Sequence, residues 1–320
     1  HYWREFVYYG RGPNFPHALE AARSLLNADR PAAALDLILL YGLREDSAEI
    51  AEIVATALER LIEKDTKDPE IRRLHAHSFK EFFALLARHS DNIGRQRVIR
   101  LEWQLFPMLG FEADALTLHT VLAEDPDLFA ELVSCCFRPS TTAEEDPVDP
   151  AEREKRRALA THAYRVLHSF RTCPGLTAEG ILDPAKLRAW VIAAREKLAA
   201  LDRTEVGDGQ IGEVLAFAPR AADGGQIHEA VRDLLEEISS DDLDQGLARG
   251  IYNERGVTSR GLLDGGSQEW ELARSFREQA KRARAWPRTR KLLRRLAESY
   301  EAEARMHDQE AERRHQGLEW

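Results

Sequence analysis

The chain has 320 residues, 43% hydrophobic and 31% charged, with a formal net charge of −10. That length and balance suit one large soluble core or about two domains, and the acidic surplus disfavours polyanion binding unless basic residues segregate on one face. Cys135, Cys136 and Cys173 give no even disulfide framework and no metal-ligand spacing, which predicts a reducing, cytoplasmic setting, and no apolar run approaches the ~18 residues of a membrane span.

At the start, Trp3, Phe6 and Val7 share one face of a predicted short helix ending near Gly10. An aromatic face so near a first residue other than Met either folds back on the downstream helices or marks a piece of a longer polypeptide, and the second is the reading chosen. From Pro16 to Gly42 two short helices fit, the second opened by Pro31, a favourable first helical residue. The run Leu35, Leu37, Ile38, Leu39 and Leu40 would also suit a buried strand, but Ala32, Ala33 and Ala34 favour helix. Between Ser47 and Glu63, Ile50, Ile53, Val54, Ala57, Leu58, Leu61 and Ile62 recur at threes and fours, the stripe of a helix with one buried face.

Asp68-Pro69, Asp125-Pro126, Asp149-Pro150 and Asp183-Pro184 each place a capping side chain before a proline and then a helical pattern. Their uneven spacing excludes a fixed tetratricopeptide or ankyrin repeat. After Asp125 the stripe Phe129, Leu132, Val133, Cys136 and Phe137 gives Cys136 a packing role. The polar, proline-bounded stretch 139–149 predicts a linker between an N-terminal subdomain, 1–138, and a C-terminal one, 150–320. Helices are then expected to about Phe170, from Pro184 to about Leu201, near Ile211 to Phe217 and Ile227 to Ile238, from Asp241 to about Tyr252, from Ser267 to about Trp286, and from Pro287 toward His315.

Gly207-Asp208-Gly209-Gln210-Ile211-Gly212 matches G-x-G-x-x-G letter for letter. A dinucleotide site needs a strand feeding that turn, whereas a long predicted helix precedes it, and Asp208 would repel phosphate. A turn connecting helices is the reading chosen. His75 and His77 diverge by about 200° on a helix and cannot share a metal, and His162 and His168 likewise diverge. His228-Glu229 lacks the second histidine of a zinc-protease helix and reads as a helix-start pair. No catalytic constellation, cofactor site or metal site is expected.

The last third is the most suggestive region. Lys281, Arg282, Arg284, Arg288, Arg290, Lys291, Arg294 and Arg295 cluster around Trp286-Pro287. In the last helix Leu292, Leu293, Leu296 and Tyr300 fall on one side and Arg290, Lys291, Arg294 and Arg295 on the other. Glu298, Glu301 and Glu303 stand within helical reach of Arg294 and Arg295, so a solvated, self-paired face is the plain alternative to a binding site. Arg255 and Arg260, with Asp264-Gly265-Gly266-Ser267 at a helix start, form a loop whose backbone donors could cradle a phosphate, although any long turn uses such residues. The candidate binding residues are Arg255, Arg260, Arg288, Arg290, Lys291, Arg294 and Arg295.

Between about residues 207 and 307, the segments Gly212-Glu213-Val214-Leu215, Glu229-Ala230-Val231-Arg232-Asp233-Leu234, Arg255-Gly256-Val257-Thr258-Ser259-Arg260-Gly261 and Tyr300-Glu301-Ala302-Glu303-Ala304 resemble C-terminal helical regions of large, poorly characterised multidomain bacterial proteins. The resemblance carries no catalytic residue. It implies a module that senses, scaffolds or assembles for a domain elsewhere, in some such proteins as part of a defence system. Together these readings predict an all-α chain, an irregular α-solenoid or helical-repeat-like stack of antiparallel helices in two subdomains. The expected partner is a protein or another domain of the same polypeptide. Nucleic acid bound through the basic helix is the alternative, and an enzyme with a dispersed active site is a third.

Overall fold

The computed structural model describes residues 17–41, 46–64, 71, 74–110, 116–141, 149–256, 261 and 264–316. Among them all regular structure is helical, apart from one isolated bridge between Leu176 and Leu182. In chain order the helices are α1 (Ala18–Asn27), α2 (Pro31–Tyr41), α3 (Ala48–Ile62), α4 (Ala76–Arg88), α5 (Ser90–Ile93), α6 (Arg95–Leu109), α7 (Thr117–Glu124) and α8 (Pro126–Cys136). Then follow α9 (Pro150–Ser169), α10 (Pro184–Ala200), α11 (Thr204–Leu215), α12 (Glu229–Ile238), α13 (Asp241–Glu254), α14 (Ser267–Arg282) and α15 (Pro287–His315). The all-α expectation is met, with antiparallel packing in pairs such as α14 and α15, where Trp270 meets Asp308 and Arg277 meets Glu301. No helix of the described residues is long and apolar enough to cross a membrane.

The chain divides into two compact units: residues up to Leu122 with Arg157–Arg171, and Ala123–Arg156 with Thr172 onward. One boundary falls inside α9, and the stretch expected to be a linker, 139–149, lies within the sequence range of the second unit.

In the first unit, Ser47 opens α3 by accepting from the Ile50 amide at 3.3 Å, and the expected stripe from Ile50 to Leu61 is buried. That stripe packs on α4, whose Phe79, Phe82, Phe83, Leu85 and Leu86 are almost wholly enclosed. Glu102 of α6 is fully buried and accepts from the Thr117 and Leu118 amides at 2.9 and 2.6 Å, supplying the N-terminal partner that α7 needs. Burial pushes its carboxyl up to about 7 against the pull of those amides.

In the second unit two of the predicted Asp-Pro starts are seen as side-chain caps. Asp125 accepts from Asp127 and Leu128, and Asp183 from Ala185 and Lys186 at 2.9 and 3.1 Å. Pro150 opens α9 as expected, and Asp68-Pro69 lies outside the described residues, as does the expected helix near Trp3. Phe129, Leu132 and Val133 are buried as expected, whereas Cys136 is only half-buried.

The glycine motif is where the sequence reading was wrong. Gly207, Gly209 and Gly212 form no connecting turn. They lie within α11, which starts at Thr204 rather than near Ile211. A glycine in a helix interior costs about 1 kcal/mol relative to alanine, and close approach to neighbouring helices offsets that loss. A Cβ on Gly212 would stand 2.3 Å from the Leu243 carbonyl oxygen of α13, and one on Gly207 would stand 2.6 Å from Leu198 Cδ1 of α10. From the other side, a Cβ on Gly246 would meet the Gly209 oxygen at 2.0 Å, and one on Gly250 the Ala216 Cβ at 2.5 Å. The two helices therefore touch backbone to backbone. Asp208, in the same motif, is buried and held by both nitrogens of an Arg195 fork from α10, at 2.7 and 3.1 Å.

Candidate functional site

The basic face of α15 is positioned by its first turn. Pro287 opens the helix, and the Glu236 carboxylate of α12 accepts from the Arg288 and Thr289 amides at 2.9 and 3.0 Å, so an internal anion caps the positive helix end. The Trp286 indole donates to Asp233 at 2.6 Å and lies under the Arg232 guanidinium. Arg232 is itself buried and forks onto Asp223 at 2.8 and 2.9 Å, which holds that carboxyl down at about 2. With so many partners at its base, α15 presents its side chains from a fixed axis.

The candidate arginines then separate into two groups. Arg288 is bound to Asp241 at 2.6 Å and to Asp244 at 2.9 Å, both on α13. Arg255, at the end of α13, pairs with the fully buried Glu269 of α14, lies 3.8 Å from Glu303 of α15, and covers the Tyr300 ring. Both are internal clamps between helices. Arg260 lies outside the described residues. The other group is Arg290, Lys291, Arg294 and Arg295. Lys291, Arg294 and Arg295 are exposed and Arg290 is half-buried, and none of the four has a side-chain hydrogen bond or ion pair among the described residues.

The self-paired face considered from sequence is not formed. Glu301 turns to Arg277 of α14 and to Arg305, while Glu303 accepts from the Tyr252 hydroxyl at 3.0 Å. The helix's own carboxylates serve its neighbours and form no ion pair with the four cations, of which Arg295 lies within electrostatic reach of Asp244 on α13. At about 100° per residue, Lys291 and Arg295 lie toward the α13 side, whereas Arg290 and Arg294 lie on the flank of Glu301, the partner of Arg277 on α14.

Along the α13 side runs an open groove of about 380 Å³. Gln245, Ala248, Arg249, Tyr252 and Asn253 line it from α13, and Leu292, Arg295, Leu296 and Ser299 from α15. Tyr252 leaves 49% of its surface exposed. Sequence reasoning missed this groove, because a helical stripe shows which residues are buried and not where two buried stripes stand apart.

The other sequence candidates resolve into internal roles. In the expected phosphate cradle the Gly266 amide is already bound at 2.7 Å by Asp308 of α15, which also accepts from Trp270 at 2.9 Å, while 257–260 and 262–263 lie outside the described residues. His228 accepts the Ala230 amide at the start of α12. Burial pushes the Cys136 and Cys173 thiols up to about 12, so neither offers a thiolate near neutral pH. Among the described residues no group of three or more His, Cys, Asp or Glu could hold a metal ion. No family model, curated protein or solved structure matches the chain.

Proposed function

We propose that this chain is a non-catalytic helical interaction module that docks a protein partner, or another domain of the same polypeptide, through the outer face of α15. The observation that carries this reading is the selective pairing of cations. Arg232, Arg255 and Arg277 on neighbouring elements, and Arg288 and Arg305 on α15 itself, are all held by carboxylates, whereas Arg290, Lys291, Arg294 and Arg295 of α15 make no ion pair among the described residues, Arg295 lying only within electrostatic reach of Asp244. Unpaired charges on a fixed helix steer association and set orientation more than they stabilise the fold. A scaffold or sensor in a larger bacterial protein, with helices stacked in the manner of an irregular α-solenoid, fits this reading, as does service in a defence system.

The test is affinity capture with the triple variant Lys291→Glu, Arg294→Glu, Arg295→Glu against the unaltered chain. Partner recovery should be lost, and equal recovery removes the face from consideration. If recovery depends on nucleic acid, nuclease treatment abolishes it and log affinity falls steeply with log salt. That outcome replaces the protein-docking reading.

A further inference from the structure

We propose that the α13–α15 groove receives an amphipathic helix with an acidic flank. This rests on the docking reading above and adds the chemistry of the partner. α13 and α15 run parallel and are clamped at both ends, by Arg288 on Asp241 and Asp244 at one and by Tyr252 and Arg255 on Glu303 at the other. The clamps are eleven residues apart on α13, about 16 Å at 1.5 Å per residue. Between them the helices part, leaving a trough about three helical turns long. Ala248, Leu292 and Leu296 supply its apolar floor and the exposed Tyr252 ring one wall. Such a trough matches the apolar edge of a helix, read at i, i+3, i+4 and i+7.

Charge decides the flank. On the α13 rim Arg249 is bound to Glu213 at 2.9 Å, so that rim is neutralised internally. On the α15 side Arg295 lines the groove and stands close enough to Asp244 to favour its charged form, but that carboxylate is already held by Arg288, and Lys291, one turn earlier on α15, makes no ion pair among the described residues; the two cations are four residues, about 6 Å, apart. Carboxylates at i and i+4 on a helix lying in the trough have the same spacing, and each would meet one cation. A nucleic acid strand fits less well, because the floor between the two helices is formed by Ala248, Leu292 and Leu296, an apolar surface that matches the edge of an amphipathic helix rather than a phosphate backbone.

The probe is a dye-labelled helical peptide of about 14 residues, with leucine and alanine on one edge and glutamates at i and i+4 on one flank. It is titrated by fluorescence anisotropy against the full chain beside a lysine-for-glutamate counterpart and a labelled single-stranded oligonucleotide. The glutamate peptide should bind. Lys291→Glu with Arg295→Glu should weaken it at least about tenfold and make the lysine peptide the better ligand. Ala248→Trp, which fills the trough at a half-exposed position, should abolish binding, and Gln245→Trp serves the same purpose if the first variant loses its helical circular dichroism. No binding of the glutamate peptide, equal binding of the lysine peptide, tighter binding of the oligonucleotide, or indifference to both tryptophans overturns the inference. If the triple charge reversal loses the captured partner while both tryptophan variants retain it, the docking reading stands and the groove helix falls. If the triple reversal retains the partner, the docking reading falls by itself.

Discussion

Replacing Gly246 by alanine should destabilise the second unit although alanine is the better helix former. An added Cβ at Gly246 meets the Gly209 carbonyl oxygen at 2.0 Å and the Gly209 carbonyl carbon at 2.8 Å, whereas ordinary contacts begin near 3.4 Å. These are backbone atoms of a neighbouring helix, so no rotamer change relieves the overlap. α11 and α13 must separate by about 1 Å or more, and the contacts of buried Ile211, Leu215, Leu243 and Leu247 loosen with them. Overpacking of this kind costs up to about 3 kcal/mol or more, and the helix-propensity gain returns about 1, so a net loss of about 2 kcal/mol is expected. For a unit of this size that lowers the thermal midpoint by roughly 4–8 °C. Gly209 is the internal control. A Cβ there meets the Arg249 guanidinium at 3.0 Å, the far end of a flexible, exposed side chain that can shift while keeping its pairing with Glu213, and the nearest backbone atom, the Asp242 oxygen, only at 4.0 Å, so Gly209→Ala should be neutral or stabilise by up to about 1 kcal/mol. Thermal unfolding by circular dichroism reads both variants, with amide hydrogen exchange localising the loss to α11 and α13. Equal midpoints for Gly246→Ala and the unaltered chain, or equal damage from Gly209→Ala, would refute the backbone-contact account of this seam.

Glu102 gives the fold a pH dependence of defined sign. Its carboxyl rises from 4.5 unfolded to about 7 folded, so in that window the folded chain holds a proton the unfolded chain has released, and stability falls as pH rises, by about 3 kcal/mol in all. Glu102→Gln should flatten the thermal midpoint between pH 5 and pH 8; an unchanged slope would place the dependence elsewhere. Arg195→Met should cost about 3 kcal/mol in urea unfolding, because it strands the Asp208 carboxylate, which is only 3% exposed. Asp208→Asn should cost less, since Arg195 reaches solvent; the reverse order would contradict the burial asymmetry. The triple reversal of Lys291, Arg294 and Arg295 should change the thermal midpoint little, because no ion pair is broken and Asp244, the one carboxylate within electrostatic reach of Arg295, stays bound to Arg288. A drop of many degrees would mean that these cations hold the fold together.

Periodicity and caps made the helices legible, because both are local. Ser47 and Asp183 cap through amides two or three residues on, and the stripe from Ile50 to Leu61 needs only a 3.6-residue repeat to be recognised. The roles of the arginines were not legible. Arg288, Arg290 and Arg294 share one basic run, yet Arg288 is bound and the other two are unpaired, and the difference lies in Asp241 and Asp244, more than forty residues earlier in the chain. Glu102 shows the same limit: nothing local marks it as buried, and its partners are amides of a different helix.

The glycine motif carries this furthest. Gly-x-Gly-x-x-Gly says only that another group must come closer to the backbone than a Cβ allows. In a dinucleotide fold that group is a pyrophosphate or the facing sheet; here it is the Gly246–Gly250 edge of α13, with Leu198 on the other side. The letters that would have separated the two cases are the second set of small residues, Gly246 and Gly250, spaced four apart on a helix of their own. Reading the motif together with that complementary edge, rather than against a single template, turns an apparent ligand loop into a helix contact. The charged residue inside it supports the same reading, since Asp208 is satisfied by Arg195 from within the unit and needs no cation from a ligand.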